Sequence, residues 1–174
     1  MKHVLIILFT ISFIQVNAQK FVQHKDSVNR FSIFIPAEWK YTGEEKQWPG
    51  IIFSATRVPV GKTDRARDNF NINVINTPKK DLEKTFSDFL KYLPGGIANY
   101  KLIEKGDITL NGRKFKWLVE THDSGLKDTT EVNYDFVTVR DGKTYILTMV
   151  TYSYHYDIIK PVFDKIAGSF ILED

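Results

Sequence analysis

The side chains best suited to chemistry gather around one turn: Glu120, His122, Asp123, Asp128 and Glu131. Carboxylates and an imidazole are the ligand types that hold a hard divalent ion. Their spacing matches neither a calcium-loop pattern nor the His-Glu-x-x-His helix of zinc enzymes. A metal site here would have to be assembled by the fold, and the competing reading is a solvated acidic turn. His122-Asp123-Ser124 places the residue types of a nucleophilic triad side by side. A working triad draws them from separate positions, with the base between nucleophile and carboxylate, and no Gly-x-Ser-x-Gly elbow is present. The chain has no cysteine, which removes thiol nucleophiles and disulfides alike. Val60-Gly61-Lys62-Thr63 carries the last residues of a phosphate-binding loop, but Thr56 stands where the pattern requires its first glycine. That segment is read as a loop.

Aromatic residues offer a second kind of site. Trp39, Tyr41 and Trp48 surround a polar stretch from Gly43 to Gln47, and Tyr152, Tyr154 and Tyr156 alternate beside His155. Aromatics at element ends, next to polar residues, are where partners are often met. They also supply much of a core. Trp39, Tyr41, Trp48, Tyr152, Tyr154 and His155 are therefore the candidate binding residues for a protein or a sugar, with a structural role as the alternative.

The elements that must position these groups follow from periodicity. Phe31, Ile33 and Ile35 alternate with polar or outward residues until Pro36 stops the strand. Gly50 to Thr56 is a second strand, and residues 58–68 form a loop containing Pro59 and Gly61. Phe70, Ile72 and Val74 alternate with three asparagines, which predicts a strand with one wet face. Thr77-Pro78 predicts a helix start, with Leu82, Phe86, Phe89, Leu90 and Leu93 on one stripe and Pro94-Gly95-Gly96 as the stop. Tyr100 to Leu110 leads into Asn111-Gly112, a hairpin signal. Phe115, Trp117 and Val119 are read as inward and Lys114, Lys116 and Glu120 as outward. Asp123-Ser124-Gly125 and Asp141-Gly142 turn the chain again, framing strands with Val132, Tyr134 and Phe136 and then Tyr145 to Tyr152. A last helix spans about Tyr156 to Ala167 with Pro161 in its pattern, which either sits in the first turn, moving the start to about Ile159, or kinks the helix. The order is three strands, a helix, four strands and a helix. The predicted class is α+β: a mainly antiparallel sheet of about 6–7 strands with helices packed on it.

Residues 1–18 have the layout of a cleavable export signal: Lys2, an apolar run from Val4 to Ile14, then Val16-Asn17-Ala18 before Gln19. The expected mature protein is a single domain, 19–174, in the periplasm or outside the cell. Without cysteine it has no site for a lipobox anchor. Removing one lysine from 24 basic residues leaves 23 against 21 acidic ones. This near balance, with no long basic run, argues against nucleic acid as the partner and against stable membrane association.

Two stretches carry a family resemblance. Phe31-Ser32-Ile33-Phe34-Ile35-Pro36-Ala37-Glu38-Trp39 is similar to the opening strand and Pro-x-x-Trp of the PsbP-like family. The run from Tyr145 through Ile166-Ala167-Gly168-Ser169-Phe170 resembles its last strand and helix. This family also gathers the Ran-binding import factor and exported bacterial proteins. The resemblance implies a β-sheet sandwiched between helices, extrinsic or adaptor roles, and no cofactor. It also implies structural duties for Pro36, Trp39, Ser169 and Phe170. The favoured expectation is a non-enzymatic accessory or binding protein whose partner is an envelope or secreted protein. A metal-dependent hydrolase built on the 120–131 hairpin and a self-associating module are the alternatives, and the oligomeric state is left open.

Overall fold

The structure is a computed structural model that describes residues 19–43, 50–78 and 81–173. The proposed signal, Trp48 and Lys79-Lys80 lie outside the described residues. Five strands precede the first helix: β1 (Phe21–Asp26), β2 (Phe31–Pro36), β3 (Lys40–Thr42), β4 (Ile51–Thr56) and β5 (Asn69–Asn76). Helix α1 (Leu82–Gly96) follows, then β6 (Lys101–Leu110), β7 (Arg113–Asp123), β8 (Thr130–Arg140) and β9 (Lys143–Tyr152). A single 3-10 turn, Ser153–His155, leads into α2 (Tyr156–Gly168), and β10 (Ile171–Leu172) closes the chain.

Seven strands form one antiparallel sheet in the order β3-β4-β5-β9-β8-β7-β6, and β1-β2-β10 form a second, smaller sheet. The α+β class and the predicted hairpins therefore stand, with three short strands (β1, β3 and β10) added. Asn111 and Asp141 both take positive φ, 48° and 49°, ahead of Gly112 and Gly142. Those paired left-handed residues make the tight turns that hold β6 on β7 and β8 on β9.

Each face of the large sheet has its own core. On one side Phe70, Ile72, Phe115, Phe136, Leu147 and Met149 pack with Phe31, Ile33 and Ile35 of β2 and with Ile159, Phe163 and Ile166 of α2. On the other, Leu118, Val137 and Ile146 meet Phe86 and the partly buried Leu82, Phe89, Leu90 and Leu93 of α1. The alternation of β7, β8 and β9 divides these sets, because successive side chains point to opposite faces.

Two local expectations change. Helix α1 is capped by Asp81, whose carboxylate accepts from the Lys84 amide at 2.7 Å. Thr77 instead shares a hydroxyl hydrogen bond with Thr144 at 2.7 Å, four residues upstream of the cap. Pro94-Gly95-Gly96 fills the last turn of α1 instead of following it. Helix α2 begins at Tyr156 and runs through Pro161. The residues shared with the family pattern sit where structure needs them. Pro36 ends β2, Trp39 is buried, and the Ser169 hydroxyl accepts from the Phe34 amide at 2.9 Å while donating to the Ile166 carbonyl at 2.6 Å. Phe170 is buried against Phe31, Phe115 and Tyr145.

Candidate functional site

Between β4 and β5 the chain leaves the sheet through residues 57–68, and one guanidinium organises that excursion. Arg57 donates from Nη1 and Nη2 to the two oxygens of Asp64, at 2.6 and 2.8 Å, and from Nε to Asp68 at 2.5 Å. A bidentate pair of this kind fixes orientation as well as charge. Asp64 also accepts from the amides of Val60 and Ala66. The Arg57 bond, followed by the Val60 amide, holds its carboxyl well below the usual range. Asp68 is completely buried. Its other oxygen accepts from the Thr151 hydroxyl at 2.6 Å and from His155 Nδ1 at 2.9 Å. A buried carboxylate needs this many donors to offset lost hydration. With Nδ1 donating, a neutral His155 presents Nε2 as an acceptor.

Beside this network lies a cleft of about 650 Å³. Its walls include Arg65 and Arg67 from the loop, Leu126 and Lys127 from the β7–β8 turn, and Tyr152 and Tyr154 from the end of β9. The tyrosine rings are 5.7 Å apart. Tyr152 is buried at the base, whereas Tyr154 is 60% exposed. Half of the aromatic set read from the sequence (Tyr152, Tyr154 and His155) thus falls in or next to this cleft. Trp39 and Tyr41 do not, and Trp48 lies outside the described residues. Trp39 is buried with its ring 6.2 Å from Phe70, so it serves the core and presents no surface to a partner. Tyr41 is exposed on the edge strand β3, stacked 5.9 Å from Phe53. Three strand-to-strand steps separate β3 from β9.

Glu120, His122 and Glu131 point to the α1 face, whereas Asp123 points to the other face and Asp128 sits on the turn. Glu120, read as outward, is fully buried on the α1 side. The reason is that a residue pointing away from the α2 core still faces a covered side of this sheet. Its Oε2 meets His122 Nδ1 at 3.1 Å, while its Oε1 has no protein partner. Asn133 stands directly opposite on β8, and Asp135 lies two residues further along, taking a 2.5 Å bond from the Thr148 hydroxyl. Burial pushes the Glu120 pKa up, with His122 pulling it back. Burial also lifts Asp135 to about 7, with the Glu120 charge adding to the rise. Glu131 pairs across from His122 and is raised by burial against the pull of His122 and Arg67. Asp123 accepts from Asn99 at 2.7 Å, and Asp128 is exposed at positive φ on the turn. Among the described residues no three His, Asp or Glu side chains form a group able to hold a metal ion.

Arg57, Asp64, Arg65, Arg67, Asp68 and Lys127 were not singled out as site residues by sequence reasoning. The one available signal was the density of charge in residues 57–68, read there as a solvated loop.

Comparison with known proteins bears on the fold. The solution structure of cyanobacterial PsbP from Synechocystis sp. PCC 6803 superposes with a TM-score of 0.65 at 16% identity, covering 91% of this chain and 95% of that one. The Saccharomyces cerevisiae Ran-binding protein Mog1p gives 0.63 at 7% identity over 90% and 97%. LpqN of Mycobacterium tuberculosis, described as involved in cell envelope biogenesis, gives 0.57 at 12% over 92% and 88%. Comparison with proteins of curated function returns no match. The PsbP family model matches residues 19–172, which is nearly all of the expected mature chain. With the family's sheet and helices in place and its end motifs in their structural posts, this chain belongs to the PsbP family.

Proposed function

We propose that the chain works outside the cytoplasm as a non-enzymatic binding protein of the cell envelope, and that its partner docks in the cleft at the end of β9. The observation that carries this reading is a preformed hollow whose loop wall is pinned by the Arg57–Asp64–Asp68 network, anchored on buried Asp68, and which presents an exposed tyrosine. A pinned wall lowers the ordering cost of binding, and exposed aromatics are frequent anchors. The signal-like residues 1–18 support the compartment. LpqN and Mog1p, similar in fold, are described respectively by envelope biogenesis and by Ran binding, which favours an adaptor role over a catalytic one. The hydrolytic alternative needs a third ligand beside Glu120 and His122, and the described residues bring none within reach.

The test is a photo-crosslinking amino acid at position 154 of the full-length chain in its own cells. A dominant envelope protein captured there, and lost when the crosslinker is moved to exposed Tyr92 on α1, is the expected result. Equal capture from both positions would reject the cleft. N-terminal sequencing of the purified mature chain should begin at Gln19.

A further inference from the structure

The cleft also has a charge, and the charge names a ligand class. Four ionisable side chains other than tyrosine line it: Asp64, Arg65, Arg67 and Lys127. The only acid among them is already spent on Arg57, at 2.6 and 2.8 Å. Arg65, Arg67 and Lys127 form no ion pair among the described residues. Glu131, cross-strand neighbour of Tyr152, answers part of the Arg67 charge from one side. Asp123 and Asp128 line an adjoining hollow that shares Leu126, Lys127 and Thr129 with the cleft. Within the lining of the cleft itself, three cations face one acid that is already paired. Field lines focus in such a cleft and favour an anionic visitor.

Apolar groups set the second requirement. Pro59, Leu126 and Tyr154 line the cleft, and Leu126 and Tyr154 are both more than half exposed. A polyanionic glycan has little to offer these side chains. A peptide with acidic and apolar residues in alternation satisfies both.

Building on the docking site above, we infer that the cleft receives an acidic segment of the partner protein, its carboxylates on Arg65, Arg67 and Lys127 and its apolar side chains against Tyr154, Leu126 and Pro59. Arginine suits the role, because its planar fork engages carboxylates with two bonds.

The experiment uses the mature protein and a fluorescein-labelled decapeptide in which glutamates flank a Leu-Phe pair, with a glutamine-for-glutamate control and a heparin hexasaccharide. Anisotropy should show the glutamate peptide binding at least about tenfold more tightly than its control, with affinity falling as salt rises. The triple variant Arg65→Gln/Arg67→Gln/Lys127→Gln should lose that preference while keeping the wild-type melting temperature, since these side chains hold no ion-pair partner among the described residues. Equal binding of both peptides, no binding of either, or tighter binding of the heparin fragment would overturn the assignment. Should the variant melt early, the peptide pair on the wild type decides alone. Capture from position 154 that persists in the triple variant would sink the charge assignment and leave the docking site standing. Loss of capture from position 154 in the wild type sinks the docking site itself.

Discussion

Asp135 is 2% exposed and makes one hydrogen bond, to Thr148. With its folded pKa at about 7 against an ordinary 3.8, the native state keeps a proton that the unfolded chain releases near pH 4. The stabilisation tied to that proton is complete below pH 4 and is lost as pH rises through 7. Glu120 is displaced in the same direction. His24, lowered by burial, works the opposite way just below its ordinary 6.5. The carboxyl effect dominates, so the protein should melt higher at pH 5 than at pH 7.5. Asp135→Asn, which still accepts from Thr148, should flatten that difference; melting curves across the range, with an unchanged slope in the variant, would refute the account. Asp68 is buried as well, and each of its oxygens meets a donor. Asp68→Ala removes the partner of Arg57, Thr151 and His155 at once and should cost about 3–5 kcal/mol in urea denaturation.

At the level of elements, the close approach of β6 to β7 rests on Gly106. A Cβ there would lie 2.9 Å from ring atoms of Trp117. The Trp117 ring cannot retreat without disturbing Tyr134, 6.0 Å away. Gly106→Ala should therefore cost about 1–3 kcal/mol by equilibrium unfolding, as overpacking does. At the other end of the scale, Asp81→Ala removes only a cap and should cost about 1 kcal/mol. The strands with strict alternation, β2, β5 and β8, are legible in the amino-acid pattern, as are the Asn-Gly and Asp-Gly turns. β1 is not, because Phe-Val-Gln-His-Lys-Asp shows no apolar period and owes its place to pairing with β2. The helix start is misplaced by local rules because Thr77-Pro78 satisfies them while Thr144, distant in sequence, takes the Thr77 hydroxyl. Tyr152 and Tyr154 stand out by their spacing. Asp68 does not, since its partners Thr151 and His155 lie 83 and 87 residues further on. No local pattern distinguishes a carboxylate that will be buried from one that stays wet.

Across the whole molecule, the sheet divides two cores of unequal size. The α2 side gathers aromatic residues from both sheets, whereas the α1 side rests on Phe86, Leu118, Val137 and Ile146 with four partly buried helix residues. Opening free energies follow buried apolar contact. Native-state hydrogen exchange should therefore find the α1 amides opening well before those of α2 and β9, and Phe86→Ala should widen the gap. Uniform protection in both helices would contradict the division.

The segment after α2 is tied to the first described strands. β10 pairs with β2, the Glu173 amide donates to the Arg30 carbonyl at 2.8 Å, Lys25 meets the Glu173 carboxylate at 2.7 Å, and Ser169 holds the Phe34 amide. Synthesis runs from β1 toward β10, so β1 and β2 wait, without their seat on α2, until that helix has been made. The core on the α2 side can close only after α2 has emerged, whatever pairs the earlier strands have already formed.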